Sequence, residues 1–264
     1  MKQEILSALG SHPWAEALIW HKSIGSTNDE AKKIAAEGAP HGTVIIADHQ
    51  TKGRGRMGRT FQSAGGKGIY MSVILRPLCK PTELMHLTCA VAVAMCDAVE
   101  NTCGIRPGVK WINDLILQER KLGGILTEMA LGADGSVAYA VVGVGINCSQ
   151  KPEDFPSKIQ DIAISLETAL GRPISRAVLA AEMVKSLAQM AEDLQSKKFM
   201  LLDIYRSDCV TIGKDVTVHT PTENLRGRAL DVDSDGALVV RFSDGSIRTV
   251  QAGEVSVRGL YGYC

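Results

Sequence analysis

The segment from Lys52 to Phe61 combines residue types that suit the binding of anions. It reads KGRGRMGRTF and holds three glycines and four basic residues within ten positions. Glycine lets backbone N–H groups approach a ligand closely, and the forked donors of arginine match carboxylate and phosphate groups. A solvated basic turn is the plainer alternative for this stretch taken alone. The segment therefore predicts either a flexible anion-binding loop or an exposed basic turn.

A phosphate-binding P-loop is a third interpretation, and the context argues against it. Gly53–Thr60 matches the pattern G-x-x-x-x-G-K-[ST] except that Arg59 stands where lysine is required. The residues that follow, FQSAGGKGIYM, are glycine-rich and then strand-like, whereas a P-loop opens a helix whose N-terminus faces the phosphates. We therefore expect no P-loop at this position.

Three further segments place polar groups at the ends of predicted strands. KWIND covers residues 110–114, RKLGGIL covers residues 120–126 and GVGIN covers residues 143–147. Taken singly, each has a structural explanation: a capped strand, a solvated turn and a bulge. Their combination with the basic loop and with Ser26-Thr27-Asn28 is what carries functional information.

In this order, the five segments resemble the catalytic domain of the biotin protein ligase family. That family carries an STN segment, a GRGRxGRxW loop, KWPND, RKLxGIL and a strand that ends in G-x-G-x-N. Two positions depart from the pattern, since Phe61 replaces the tryptophan and Ile112 replaces the proline. The resemblance covers residues 18–210 in outline, and the chain is identified as a member of this family.

The resemblance implies an α/β (α+β) fold with a mixed, mainly antiparallel sheet backed by helices, as in class II tRNA synthetases. We expect residues 1–210 to form this biotin/lipoate ligase-like catalytic domain and residues 211–264 to form a small SH3-like β-barrel. Turn signals at Asp235-Gly236 and Asp244-Gly245 favour the barrel. The residues before Ser26 are too few for a winged helix, so we expect a monofunctional ligase without a repressor domain and without DNA as a partner.

The activity that the resemblance implies has two steps. Biotin and MgATP give biotinyl-5′-AMP and pyrophosphate, and the activated carboxyl then passes to one lysine of a biotin carboxyl carrier domain. Lys110 and Arg56 are the expected catalytic residues. By the family pattern, biotin is bound by Ser26, Thr27, Asn28, Gln50, Arg54, Gly55, Arg56, Lys110, Gly123 and Gly124. ATP or the adenylate is bound by Arg54, Arg56, Arg59, Phe61, Asn113, Lys121 and Asn147.

Several of these residues keep a second interpretation. Ser26 and Thr27 can cap a helix, because serine and threonine before a helical segment accept a bond from its first N–H groups. Asn147 can stabilise a turn instead of lining an adenine pocket. Asp114 can assist the magnesium ion of MgATP or orient Lys110, and the sequence does not separate these roles.

Composition limits the class of protein. Lys+Arg and Asp+Glu number 29 each, and this balance argues against a protein that coats nucleic acid. The seven cysteines form no CxxC pair, which disfavours structural zinc and fits a reducing cytoplasm. Cys89, Cys96 and Cys103 recur every seven residues and predict small core positions on one helical face. No signal peptide is recognised, and we expect no apolar run to approach the length of a membrane span.

Local patterns predict the elements that position these residues. We expect a helix from Ser26 or Thr27 to Gly38, a long apolar helix from near Thr82 to before Gly104, and two helical stretches within 160–198 divided at 171–175. Strands are expected at 43–48, 69–77 and 137–148, with two more between 109 and 131 that meet at a turn near Glu119–Arg120.

Three alternatives of other kinds remain open. A lipoate ligase shares the fold but should lack the GRGRxGR loop, and an octanoyl transferase of this fold would need a matched cysteine or lysine nucleophile and no ATP. A non-catalytic protein that binds RNA through Arg54–Arg59 is the third. Carrier docking by extension of a sheet implies an exposed strand edge. A homodimer through such an edge is left open, as is the identity of the carrier.

Overall fold

A seven-stranded sheet forms the centre of the chain. The structure is a computed structural model that describes residues 1–220, 223–251 and 254–257. The strand order is β1-β2-β3-β7-β6-β5-β4; only the β1–β2 pair is parallel, so the expected mixed, mainly antiparallel sheet is confirmed. The strands are β1 Leu18–His21, β2 Thr43–Ala47, β3 Gly68–Leu75, β4 Gly108–Lys110, β5 Asp114–Leu117, β6 Arg120–Leu131 and β7 Val137–Asn147.

Helices cover both faces of this sheet. They are α1 Lys2–Leu9, α2 Thr27–Ala36, α3 Leu87–Cys103, α4 Leu166–Leu170, α5 Arg176–Asp193 and α6 Lys198–Asp208. On β2, Val44 and Ile46 face the main core with α3 and α5, whereas Ile45 faces a smaller cluster with Ala31 and Ala35 of α2. Because both faces are covered, β2 and β3 are buried along their whole length and read as continuous apolar runs.

Helix α3 is the central helix of the core. A 3₁₀ turn over Pro81–Leu84 precedes it, so the regular helix begins five residues after the predicted start near Thr82. By length and composition, the segment Pro81–Cys103 could cross a membrane, with a mean hydropathy of 1.4, and the expectation that no apolar run approaches that length was wrong. Because 72% of this stretch is buried inside the fold, the segment serves as a core helix here.

Cysteines contribute to the packing of α3. Cys89, Cys96 and Cys103 are all buried in the main core, as the seven-residue spacing predicted. Among the residues that the structure describes, the six cysteines are free thiols and no cluster of three or more metal-ligating side chains exists. The seventh, Cys264, lies outside the described residues.

The region of residues 109–131 differs from its prediction. Two strands were expected, but a turn at Trp111–Asn113 divides the first into β4 and β5. The turn near Glu119 was predicted correctly, and both Gln118 and Glu119 adopt positive φ there. Asn113-Asp114 is a turn signal within KWINDLIL, but apolar residues on both sides of it and the lack of a glycine or proline favoured one continuous strand. Helices α1 and α6 and strand β1 were also not predicted.

The C-terminal strands form a second, antiparallel sheet. Its order is β11-β10-β9-β8-β12, and the predicted turns at Asp235-Gly236 and Asp244-Gly245 join β9 to β10 and β10 to β11. The strands are β8 Asp215–His219, β9 Asn224–Val232, β10 Leu238–Phe242, β11 Ile247–Val250 and β12 Glu254–Val257. The final residues of the predicted 211–264 barrel lie outside the described part of the chain.

Side chains join the two sheets directly. The indole Nε1 of Trp111 donates to the Gly236 carbonyl at 2.9 Å, and the Trp111 amide donates to Thr211 Oγ1 at 2.9 Å. On α6, Arg206 Nε donates to the Val232 carbonyl at 2.7 Å. The turn that carries the KWIND residues is therefore held against the C-terminal sheet.

Candidate active site

The sequence-predicted residues gather around one cavity of about 160 Å³. It lies between the loop 52–61, the start of α2 and the β4–β7 region of the large sheet. All of the predicted residues except Gly123 and Asn147 line it: Ser26, Thr27, Asn28, Gln50, Arg54, Gly55, Arg56, Arg59, Phe61, Lys110, Asn113, Asp114, Lys121 and Gly124. Tertiary structure thus brings together five segments that are spread over 120 residues of sequence.

The basic loop is a narrow hairpin across this cavity. Gly55 N donates to Arg59 O at 2.7 Å and Phe61 N donates to Gly53 O at 3.0 Å, which ties the two sides together. At the tip, Met57 adopts φ +55° and is 70% exposed. Strand β3 follows the loop where a P-loop would open a helix, so the P-loop interpretation is excluded by the geometry.

The start of α2 forms a polar wall. Ser26 Oγ accepts the Asp29 N–H at 3.4 Å and caps the helix, so its structural interpretation is confirmed, while Ser26 also lines the cavity. Thr27 N and Oγ1 both donate to Gln50 Oε1, at 2.8 and 3.1 Å. Gln50 Nε2 in turn donates to Ser63 Oγ at 3.0 Å. This network holds an amide and hydroxyls at the cavity wall.

Asn28 connects the polar wall to the sheet. Its Nδ2 donates to the Leu126 carbonyl at 3.2 Å and to Glu128 Oε2 at 3.0 Å. Its Oδ1 accepts from the hydroxyl of Ser72, which is completely buried on β3 and lies 2.6 Å away. The sequence analysis assigned no role to Ser72 or Glu128. Both lie inside strands, and no motif marks them.

Gly143 explains how Asn28 fits against β7. A Cβ at Gly143 would lie 2.0 Å from Asn28 Oδ1, closer than any real contact. Gly143, the first glycine of GVGIN, is therefore required because the Asn28 side chain of another element approaches it closely.

Arg54 is held by carboxylates at the rim of the cavity. Its Nη1 donates to Asp29 Oδ1 at 2.7 Å and to Glu128 Oε2 at 3.0 Å, and its Nη2 donates to Glu128 Oε1 at 3.1 Å. Partial burial opposes the charged guanidinium, but the hydrogen bonds and charges of Glu128 and Asp29 outweigh it and raise the pKa of Arg54. The geometry is the bidentate pairing that arginine favours.

Arg56 points to the opposite side of the cavity. Its Nη1 donates to Asn113 Oδ1 at 3.0 Å, and Asn113 Nδ2 donates to the Ile125 carbonyl at 3.0 Å. Burial lowers the pKa of Arg56, while the charge of Asp114 opposes this change. Arginine stays protonated over the physiological range, so Arg56 presents a partly desolvated cation to the cavity.

The two lysines come from β4 and β6, which lie on either side of β5. Lys110 ends β4 and pairs in register with Asp114 at the start of β5; the peptide bond that follows, between Trp111 and Ile112, is cis. Lys121 Nζ donates to Asp114 Oδ1 at 2.7 Å. Asp114 therefore pairs with Lys121 through its side chain and lies opposite Lys110 in the strand register.

Charge in the cavity is strongly one-sided. Among the described lining residues, five are basic (Arg54, Arg56, Arg59, Lys110 and Lys121) and Asp114 alone is acidic. In a chain of zero net charge, this concentration is local. A partly enclosed cationic cavity lowers the free energy of anions brought close to one another.

Two predicted residues lie outside the cavity lining. Asn147 is 5% exposed; its Nδ2 donates to Ile164 O at 3.2 Å and its Oδ1 accepts from Gln150 Nε2 at 3.1 Å. These contacts are those of the turn-stabilising interpretation. Gly123 is buried between β5 and β7, where a Cβ would lie 2.4 Å from Gly145 O.

The sequence analysis missed the remaining cavity wall, most of it apolar. Met71, Ile125, Leu126 and Val144 come from strands β3, β6 and β7; the other missed residues are Met57, Thr60, Trp111, Gly143, Gly145 and Val255. Ile125, Leu126 and Val144 lie within the RKLGGIL and GVGIN segments, and this position was an available signal, whereas Met71 lies on β3 outside these segments. Val255 belongs to β12 of the C-terminal sheet, and the sequence gave no indication that a residue of this sheet lines the cavity.

Comparison with known proteins identifies the relationship. Residues 20–147 match the model of the Biotin/lipoate A/B protein ligase family, and residues 211–258 match that of the Biotin protein ligase C terminal domain. The Bifunctional ligase/repressor BirA of Bacillus subtilis is 34% identical over 257 residues, which cover 97% of this chain and 78% of that protein. The Biotin--[acetyl-CoA-carboxylase] ligase of Mycobacterium tuberculosis is 32% identical, over 88% of this chain and 85% of its own.

A solved structure agrees with these relatives. The biotin protein ligase from Aquifex aeolicus in complex with biotin and ATP superposes with a TM-score of 0.76 and 28% identity, over 91% of this chain and 98% of that chain. The three kinds of comparison agree: the fold is shared, two family models match, and the relatives align over most of their length. The chain belongs to the biotin protein ligase family.

Proposed function

We propose that this protein is an ATP-dependent biotin protein ligase that forms biotinyl-5′-AMP and transfers biotin to a lysine of a carrier domain. The observation that carries the proposal is the gathering of five basic side chains and a polar wall around one cavity. An adenylating enzyme must hold two anions, a carboxylate and a triphosphate, close enough to react. The family relationship supplies the identity of the acid.

Biotin occupies the part of the cavity near α2 in this proposal. Its ureido group requires donors and acceptors, which Ser26, Thr27, Asn28 and Gln50 offer. Its ring and tail require apolar contacts, which Met71 and the neighbouring strand residues offer. Gly55 and Gly124 bring backbone close to the ligand, whereas Gly123, which was also predicted here, is buried behind them between β5 and β7. A cavity of this kind, apolar with a few convergent polar groups, is typical of small-molecule sites.

In the first step, a carboxylate oxygen of biotin attacks the α-phosphorus of ATP. A new P–O bond forms, the bond from the α-phosphorus to the bridging oxygen of the β-phosphate breaks, and pyrophosphate leaves with the electron pair. Lys110 and Arg56 stabilise the negative charge on both reacting groups. Arg59, Lys121 and Asn113 contact the nucleotide, and Phe61 packs against it. Asn147 was also predicted here, and its contacts assign it to supporting the strand end.

In the second step, the amine of the carrier lysine attacks the carbonyl carbon of the mixed anhydride. An amide bond forms, the C–O bond to the phosphate breaks, AMP leaves, and the amine releases a proton. The protein needs no nucleophile of its own, which agrees with the burial of the described cysteines. Closure of the loop 52–61 keeps water from the anhydride in the meantime.

Magnesium enters with ATP and supplies charge neutralisation at its phosphates. Magnesium sites of this type use one or two carboxylates plus phosphate oxygens and waters. The described residues fit this requirement, because Asp114 is the one carboxylate of the lining and no larger ligand cluster exists among them. Asp114 is proposed as the protein ligand.

The remaining assignments complete the proposal. Residues 1–210 form the catalytic domain, and residues 211–264 form a C-terminal domain that contributes Val255 to the cavity wall. The partner is a biotin carboxyl carrier domain, as the name of the mycobacterial relative suggests. Strand β1 is an outer strand of the large sheet and offers an edge for carrier docking or for a homodimer. The zero net charge disfavours DNA as a partner, and the seven cysteines without a CxxC pair favour a cytoplasmic location.

Intact-mass spectrometry tests the function. A biotin carboxyl carrier domain is incubated with this protein, biotin and MgATP, with one control that omits ATP and another that replaces biotin by lipoate. We expect a single biotin-sized increase that requires ATP and does not occur with lipoate. A carrier that a known ligase modifies, but that this protein leaves unchanged, would contradict the proposal.

A further inference from the structure

Glu128 occupies a central position for which the proposed reaction has no use. It lies on β6 at the rim of the cavity with a side chain that is 23% exposed. Its carboxylate accepts hydrogen bonds from Asn28 Nδ2 at 3.0 Å, from Lys32 Nζ at 2.9 Å and from both Nη atoms of Arg54. One carboxylate therefore joins three elements: α2, the large sheet and the basic loop.

The contact with Arg54 is the one that crosses from the sheet to the loop. The two residues are separated by 74 positions of sequence, and both oxygens of the carboxylate meet the guanidinium, at 3.0 and 3.1 Å. A planar, bidentate pair restricts orientation as well as distance. Arg54 lies opposite Thr60 in a β-bridge whose hydrogen bonds are made by the flanking residues, Gly55 N to Arg59 O and Phe61 N to Gly53 O, so fixing Arg54 also fixes the opposite side of the hairpin.

A second contact attaches the loop on the other side of the cavity. Arg56 donates to Asn113 in the turn between β4 and β5. Arg54 and Arg56 are alternate residues of the loop and reach opposite walls. The loop is therefore held across the mouth of the cavity at two points. Of these, the Arg54 contact is an ion pair, whereas Arg56 donates to a neutral amide oxygen.

We propose that Glu128 is a positioning residue that holds the loop 52–61 closed over the cavity through its bidentate contact with Arg54. Arg54 then acts chiefly as the loop's attachment to the sheet. The expected effect on the dissociation of biotin rests on the proposed function, whereas the expected effect on the order of the loop does not. Isolated surface ion pairs contribute little to stability, but this pair belongs to a network of four charged groups and is partly shielded from solvent.

Glu128 has a competing role that the test must separate. It also pairs with Lys32, which lies on α2 and does not touch the loop. If Glu128 served only to support α2, the loss of Lys32 would reproduce the loss of Glu128. If it acts through Arg54, the two variants differ in the order of the loop.

Limited proteolysis of the ligand-free protein is the first measurement. Trypsin cleaves after the arginines of the loop, and mass spectrometry identifies cuts after Arg56 and Arg59. We expect cleavage about tenfold faster in Glu128→Gln than in the unaltered protein, in line with the loss of one charged, bidentate contact. Lys32→Met should stay near the unaltered rate. Glu119→Gln changes an exposed glutamate in the turn before β6 and is the matched control.

The second measurement is the dissociation rate of biotin, followed by rapid mixing with an excess of unlabelled ligand. We expect Glu128→Gln and Arg54→Gln each to accelerate dissociation about tenfold, and the double variant to be no faster than either, because coupled residues are non-additive. Thermal unfolding confirms that each variant is folded.

The outcomes are distinguishable. Loop cleavage at the unaltered rate in Glu128→Gln, or effects that multiply in the double variant, would overturn the positioning role. Equal cleavage in Lys32→Met and Glu128→Gln would assign Glu128 to α2 instead. If the unaltered protein binds no biotin, the proposed function fails, while the proteolysis comparison still reports on the loop.

Discussion

Phe61 and Gly145 are in direct contact beneath the basic loop, and the contact leaves no space for a side chain at position 145. A Cβ on Gly145 would lie 2.5 Å from Phe61 Cε1 and 2.6 Å from Cζ. The Phe61 ring also meets Tyr70 edge-on, with ring centroids 6.2 Å apart. Phe61, the aromatic residue of the loop motif, thus packs against Gly145, the second glycine of the GVGIN motif. Residues of two separate motifs, the basic loop and GVGIN, therefore pack directly against each other.

Replacement of this glycine should disturb the cavity through the ring. We expect Gly145→Ala to lower the free energy of unfolding by about 1–3 kcal/mol, as overpacking does. Phe61→Leu in the same chain should restore part of the loss, because the smaller side chain gives way. Urea denaturation of the two single variants and the double variant measures the coupling.

A matched control is available at Gly25, where a Cβ would meet no heavy atom within 4 Å. Gly25→Ala should change the unfolding free energy little. Additive effects at positions 61 and 145 would show that the two residues are not coupled.

Lys110 should be required for adenylation and not for folding. We expect Lys110→Ala to lower the rate of pyrophosphate release by about 10²–10³, the loss typical when one group that stabilises developing negative charge is removed. The melting temperature should change little, since Lys110 is at the cavity surface. Lys158→Ala, an exposed lysine outside the cavity lining, serves as the control. A Lys110→Ala rate within twofold of the unaltered rate would contradict the assigned role.

The contribution of Glu128 should depend on pH. Burial favours its neutral form, but hydrogen bonds from Asn28, Lys32 and Arg54 outweigh this and lower its pKa below the ordinary value of 4.5. A carboxyl whose pKa is lower in the folded than in the unfolded chain contributes stability above the unfolded value. That contribution is lost as the pH falls through the lower, folded pKa.

The measurement is the difference in unfolding free energy between the unaltered protein and Glu128→Gln. We expect this difference to be constant near neutral pH and to shrink below pH 4.5. A difference that grows on acidification would mean that the carboxylate is not stabilised by its partners. Glu119→Gln again supplies the comparison.

Trp111 should couple the two sheets. Its indole N–H donates to the Gly236 carbonyl at 2.9 Å, and its side chain is 4% exposed. We expect Trp111→Phe to destabilise the fold by about 1–3 kcal/mol, because a buried carbonyl loses its donor. Trp20→Phe makes the same change on strand β1, away from the junction, and should have a smaller effect. Equal losses in both variants would argue against a specific role for the junction.

The described cysteines should resist alkylation in the folded protein. Burial raises the pKa of Cys148 to about 12, and it raises the pKa of Cys89 and Cys96 further still. The thiolate is the reactive form, so these buried thiols are inert. In a Cys264→Ser background, we expect iodoacetamide to label almost nothing at pH 8 and all six remaining cysteines in urea. Rapid labelling of Cys148 in the native state would contradict the burial.

Local features of the sequence predicted several elements, and the resemblance of five motifs to a known family implied the chemistry and the fold class. Ser26 caps α2 as its type and place predicted, and the Asp-Gly turns of the C-terminal strands occur where expected. Such features depend on residues within about four positions of each other, so a linear pattern contains them. The five segments also predicted the location of the cavity, since nearly all of their predicted residues line it.

Tertiary structure alone decided which groups these residues meet. Arg54 was predicted to contact ligand, and the fold commits its guanidinium to Glu128, 74 positions away. Asn147 lies behind the cavity wall, and Val255 enters that wall from another sheet. The physical reason is register: a shift of one residue in a strand moves every side chain to the other face, and register is set by packing over the whole sheet. A local sequence pattern specifies the residue types of a site, whereas its contacts follow from how distant strands align.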